Sequence, residues 1–87
     1  MRIWFKIFQD NHLLQDLTIE DISNDTRTHK IFNALDKCCY ELNLSKPLWL
    51  DSIVRDFKRH ARARFPQDAF METVDFDYLE IHVIEED

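Results

Sequence analysis

Arg2-Ile3-Trp4-Phe5-Lys6-Ile7-Phe8-Gln9 decides the fold. Ile3, Phe5 and Ile7 fall to one side of this run and Arg2, Trp4, Lys6 and Phe8 to the other. A period of two in aromatic and β-branched residues is the pattern of a half-buried strand. Asp10-Asn11-His12 follows as a tight turn. Leu13–Ser23 then alternates again, with Leu13, Leu17 and Ile19 against Leu14, Asp16, Thr18 and Glu20. The two runs read as a β-hairpin.

Beyond the hairpin the period changes. Ser23-Asn24-Asp25-Thr26 is a cluster of helix-capping residues. From there to Asn43, Ile31, Phe32, Leu35, Cys38, Cys39 and Leu42 share one helical arc, with His29, Asn33, Asp36 and Tyr40 opposite. Leu44–Leu50 is a connector around Pro47, and Leu48-Trp49-Leu50 in it reads as extended. Asp51 is placed to cap a second helix whose apolar side is Leu50, Ile53, Val54, Phe57 and Ala61. Arg55, Arg59 and Arg62 point the other way. This helix is expected to stop before Pro66, because the residue preceding a proline avoids the α region. One more helical turn fits Pro66–Met71. Asp77–Glu85 is the last strand, with Leu79, Ile81 and Val83 on one side and Tyr78, Glu80, His82 and Ile84 on the other. Glu85-Glu86-Asp87 reads as a charged tail that frays. The expectation is a single α+β domain over residues 1–87, ordered β-β-α-α-β. A three-stranded sheet packs one face on two helices, and the last strand lies beside the first.

Composition narrows the chemistry. The chain has 87 residues and no glycine, where average usage would give about six. P-loops, dinucleotide-binding turns and nucleophile elbows all need glycine for close backbone approach or positive φ, so none can be present. Turns must rest on Asn, Asp, Ser and Pro. The net charge of −6 is unevenly spread. Residues 55–65 carry five basic groups and one acidic, whereas residues 66–87 carry eight acidic groups and none basic. The whole chain is thus a poor non-specific ligand for nucleic acid or an anionic membrane, but it is strongly dipolar. Cys38 and Cys39 are adjacent and staple nothing, which points to a reducing, cytoplasmic setting. The apolar N-terminal run is too short and too charged for a signal peptide, and no run is long enough to span a membrane.

Asp25-Thr26-Arg27-Thr28-His29-Lys30 and Asp75-Phe76-Asp77-Tyr78-Leu79-Glu80-Ile81, with the spacing of Phe57-Lys58-Arg59-His60 from Phe65-Pro66-Gln67-Asp68, resemble a family of short bacterial proteins of unknown function. The resemblance covers nearly the whole chain. It implies a bacterial, cytosolic, stand-alone domain and brings no activity, cofactor or site residue with it.

The residues themselves argue against common active-site chemistries. His12, His29, His60 and His82 lie in different elements, and the paired cysteines project into an apolar arc, so no zinc-binding spacing exists. Asp75 and Asp77, near Glu72 and Glu80, read as a solvated acidic stretch rather than a cation loop. Neither cysteine has a nearby base or helix N-terminus to activate it. We therefore expect no catalytic residues, no metal and no cofactor. Two surfaces remain. The first is the basic patch Arg55, Lys58, Arg59 and Arg62, with Arg64 beyond it. It suits phosphate contacts or, alternatively, neutralisation by the acidic C-terminal region. The second is the sheet face carrying Trp4, Phe8, Tyr78, His82 and Ile84. Its aromatics suit a protein interface, stacking on nucleic-acid bases, or burial beneath a loop such as Leu44–Leu50. The expectation is a small acidic protein-interaction module (an adaptor, accessory or inhibitor) able to self-associate. Nucleic-acid binding through the second helix is the alternative, and no membrane role is expected.

Overall fold

The computed structural model describes all residues, Met1–Asp87. The elements run β1 (Arg2–Gln9), β2 (His12–Glu20), α1 (Arg27–Glu41), α2 (Asp51–His60), β3 (Arg62–Pro66), a 3-10 turn at Gln67–Ala69, and β4 (Tyr78–Glu85). The four strands form one antiparallel sheet in the order β2-β1-β4-β3. The hairpin is as the alternation predicts, and the last strand lies beside the first as expected. The fourth strand is a correction. Arg62–Pro66 belongs to the sheet, not to the second helix.

The reason lies at Ala61. α2 ends there because Ala61 adopts φ 53° and ψ 27°, its N–H still bonded to Phe57 O. The chain reverses, and the Ala61 carbonyl accepts from Val83 N at 2.9 Å. Ala63 and Phe65 then turn inward and Arg62 and Arg64 outward. Proline at the end of this edge strand withholds no ladder donor from a neighbour, which is where a strand tolerates it.

β1 and β4 form the middle of the sheet. Ile3, Phe5, Ile7, Leu79, Ile81 and Val83 are all buried on its inner face. α1 covers the β1/β2 half and α2 lies along β3. α1 contributes Ile31, Ala34, Leu35, Cys38 and Cys39 to a core of 19 buried residues, and α2 contributes Ile53 and Phe57. Phe32, expected in the α1 arc, lies at its rim and is 46% exposed. The Leu44–Leu50 connector has no strand. It delivers Trp49 edge-on to Phe32, Phe57 and Phe65, tying both helices to β3. Trp4 and Phe8 are therefore not covered by this connector.

The termini of the helices follow local chemistry. Thr26 caps α1, its hydroxyl accepting from His29 N at 3.2 Å. Leu50, not Asp51, is the α2 cap, and Asp51 sits in the first turn. There its carboxylate favours the positive end of the helix dipole. Two strands carry bulges. The β1/β2 register jumps between Ile7 and Phe8, so Leu14 is unpaired and Leu13 faces Phe8. The β1/β4 register jumps between Arg2 and Ile3, so Ile84 drops out of the alternation. The C-terminal residues, expected to fray, are tied down instead. Arg27 holds Glu86 through two bonds of 3.1 and 3.0 Å, and Asp87 bridges the Met1 amine and the buried Lys30 at 2.8 and 2.6 Å. No helix is long and apolar enough to cross a membrane.

Candidate protein-interaction face

Both helices pack on the inner side of the sheet, so its outer face carries no helix. Alternation along β1 puts Arg2, Trp4, Lys6 and Phe8 there, and the cross-strand register builds a rung on each. The first sets Arg2 between Glu20 and Glu85. Next comes Thr18, Trp4, His82 and Arg62, then Asp16, Lys6, Glu80 and Arg64. The last rung is Leu13, Phe8, Tyr78 and Pro66.

The charged rung is paired within itself. Lys6 Nζ lies 2.7 Å from a Glu80 oxygen, with the two side chains only 11% and 6% exposed. Arg64 reaches the other Glu80 oxygen at 3.6 Å. Burial pushes the Glu80 carboxyl up. Its bond to Lys6 and the charges of Lys6, Arg62 and Arg64 outweigh that, and it ends below the usual carboxylate range. The rungs are also cross-braced. Trp4 Nε1 donates to Asp16 at 2.9 Å, and the Lys6 ammonium sits 3.9 Å above the Trp4 ring. The Arg64 guanidinium lies 4.6 Å from the Tyr78 ring centre, and Tyr78 stacks on Phe8 at 5.2 Å. His82 is half-buried, and its Nδ1 is buried without a partner. Burial, then Arg62 and Lys6, hold its pKa below the ordinary histidine value, which keeps it neutral at physiological pH.

The expected interface residues thus divide. Trp4, Phe8, Tyr78 and His82 do share one face, whereas Ile84 stands in the bulge at its margin. Leu13, 48% exposed, joins the face, although strict alternation puts it on the inner side. The bulge opposite Ile7 carries it across, and no residue type in β2 announces a bulge. Lys6, Asp16 and Arg64 are further members, and they become evident only once the strands are in register.

The expected basic patch is split between layers. Arg55, Lys58 and Arg59 are exposed on α2, while Arg62 and Arg64 stand on the outer side of β3. Of these five only Arg64 makes an ion pair, so the acidic C-terminal region neutralises that one alone. Lys58, Arg59 and His60 fill the last turn of α2, where cations stabilise the negative end of the helix dipole.

The two thiols are buried away from this face. Burial lifts the Cys38 thiol to about 12, with Cys39 adding to it, and the Cys39 thiol to about 11, with Asp36 adding and Lys46 opposing. Neither is a nucleophile at neutral pH. A cavity of about 290 Å³ at the open end of the sheet, between Leu14, Leu42 and Phe76, includes Ser45 but no histidine or lysine to activate it. No three His, Cys, Asp or Glu residues come together as a metal site.

No family model matches this chain, and neither does any curated protein or solved structure.

Proposed function

We propose that this chain is a small cytoplasmic protein-interaction module that docks a protein surface on the outer face of its sheet. One observation carries the reading. A four-stranded sheet with helices on a single side leaves Leu13, Trp4, Phe8 and Tyr78 together on the other. Aromatic residues and arginine are the residues most enriched in interface cores and hot spots. Here their partners within the chain already hold them in place, so docking freezes few rotamers and loses little entropy. The same bracing disfavours nucleic-acid bases. Lys6 covers a face of Trp4 and Arg64 a face of Tyr78, whereas base stacking needs open ring faces. Nucleic-acid binding through α2, the alternative, has lost its continuous helical stripe, because Arg62 stands on β3. The adjacent, buried, unpaired thiols of Cys38 and Cys39 support a reducing compartment.

Site-specific photo-crosslinking in cells tests the docking face. A photoreactive side chain at Leu13 is expected to capture a polypeptide. The same group at Tyr40, 85% exposed on α1, is expected to capture none. Equal labelling at the two positions, or none at Leu13, rejects the sheet face as the docking surface.

A further inference from the structure

Resting on the reading of the outer face as a docking surface, we propose that its partner is a second copy of this chain, related by a two-fold axis parallel to the strands. Charge is ordered across the sheet. Acidic Asp16 and Glu20 lie on the β2 edge, and basic Arg62 and Arg64 on the β3 edge. A two-fold axis running along the strands, above the gap between β1 and β4, lays β2 of one copy over β3 of the other. It also lays β1 over β4, and it keeps every rung at its own height.

Three of the four rungs then meet a complement. Asp16 faces the second copy's Arg64, and Arg2 faces Glu85. The Lys6–Glu80 pair meets its inverted image, giving a four-charge cluster of alternating sign on the axis. Phe8 lies against Tyr78, and Leu13 against Pro66, so the apolar rungs bury one another. Turning the axis perpendicular to the strands reverses the rungs. Phe8 and Tyr78 would then oppose Arg2 and Glu85, and Asp16 would oppose Thr18, leaving apolar groups against charges and no new ion pair. The strand-parallel arrangement is the self-complementary one. It also matches the aligned packing of two sheets face to face, with an interlayer spacing of roughly 10 Å.

The face is small for a specific interface. Four strands about 4.8 Å apart, of 8, 9, 5 and 8 residues in chain order, present roughly 500 Å² in projection per copy. Two copies therefore bury about 1,000 Å², the lower bound for a specific interface. A dimer of roughly micromolar affinity is expected, and it should weaken as salt screens the rim pairs Asp16–Arg64 and Arg2–Glu85.

Sedimentation equilibrium from low micromolar to millimolar protein, at low and high salt, reads the association. Asp16→Arg and Arg64→Asp each place two like-charge contacts in the homodimer and are expected to weaken it roughly tenfold or more. Mixing the two variants restores both contacts as opposite charges, and so does the double variant with itself. Recovery in both is the result expected. Circular dichroism of each variant confirms that its monomer is folded. A dimer indifferent to either substitution, or a mixture that fails to recover, overturns the proposal. A monomer throughout, with the Leu13 crosslinker capturing a different polypeptide, overturns self-association and leaves the docking face standing. A monomer with no capture removes both.

Discussion

Ala61 holds a left-handed backbone conformation that a β-carbon disfavours by roughly 1 kcal/mol or more. Three other residues share positive φ, Asp10 at 52°, Asn11 at 64° and Asn43 at 56°. Their short polar side chains tolerate it, and Asp10-Asn11 supplies the two-residue hairpin turn that the chain makes without glycine. Alanine has no such compensation. It is retained because the reversal from α2 to β3 is fixed on both sides, by the bond to Phe57 and the bond from Val83. Ala61→Gly is therefore expected to stabilise the protein by about 0.5–1 kcal/mol, the strain relieved exceeding the added chain entropy. For a domain this size that raises the melting temperature by roughly 2–8 °C in a calorimetric scan. A lower melting temperature would mean that Ala61 carries no strain.

β3 is the element that sequence periodicity misses, and the reason is physical. Ala61-Arg62-Ala63-Arg64 is built from good helix formers, and Ala61 continues the i, i+4 apolar stripe from Phe57. Only Ala63 and Phe65 mark the inward positions of a five-residue strand. That short alternation ahead of Pro66 is the signal that was present, and it competes with a ten-residue helical pattern. With β3 in place, the outer face becomes a ladder whose charged rung is nearly dry. Glu80→Ala would leave the Lys6 ammonium buried without its nearest partner, and is expected to cost about 3 kcal/mol in urea denaturation. Replacing both, as Lys6→Met with Glu80→Leu, removes the charge to be solvated and is expected to fall within about 1 kcal/mol of the parent. If the two changes prove equally damaging, the pair is not a desolvated one. The ladder is then held by packing alone.

At the scale of the molecule, the shifted titrations of the carboxylates and of His82 all point one way. His82, Glu80, Asp21, Asp25, Glu86 and Asp87 have folded pKa values below their ordinary ones. For each, the unfolded chain binds the proton more readily, so stability falls as pH falls. The stabilisation is fully present above the unfolded value and lost as pH drops through the folded one. The groups around His82 reinforce this. Arg62 and Lys6 oppose its protonation and Glu80 favours it, with Trp4 beside it on β1. Denaturation midpoints are expected to be flat between about pH 7.5 and 8.5, to decline as pH drops below about 6.5, and to fall more steeply below about 4.5. Above about pH 9 they decline again, because the unfolded chain ionises its thiols while the buried Cys38 and Cys39 stay protonated. His82→Asn should remove the first decline and leave the second. Stability that rises on acidification from pH 7 to 5 would contradict the assignment. The C-terminal carboxylates belong to the steeper phase, because Asp87 holds both the Met1 amine and Lys30.

The sequence by itself determined β1, β2, α1, the body of α2 and β4, and within each of β1 and β4 which residues point to the helices and which, Trp4 and Phe8 or Tyr78 and His82, point away. Alternation and helical period are local properties, carried by side chains a few residues apart. Tertiary structure alone decided the fourth strand, the bulges that move Leu13 onto the outer face and Ile84 off the ladder, and the pairing of Lys6 with Glu80. Each depends on which strand lies beside which, and in what register. One residue of slip sends every side chain of a strand to the opposite face. The order β2-β1-β4-β3 likewise brings the acidic edge and the basic edge to opposite sides of one sheet.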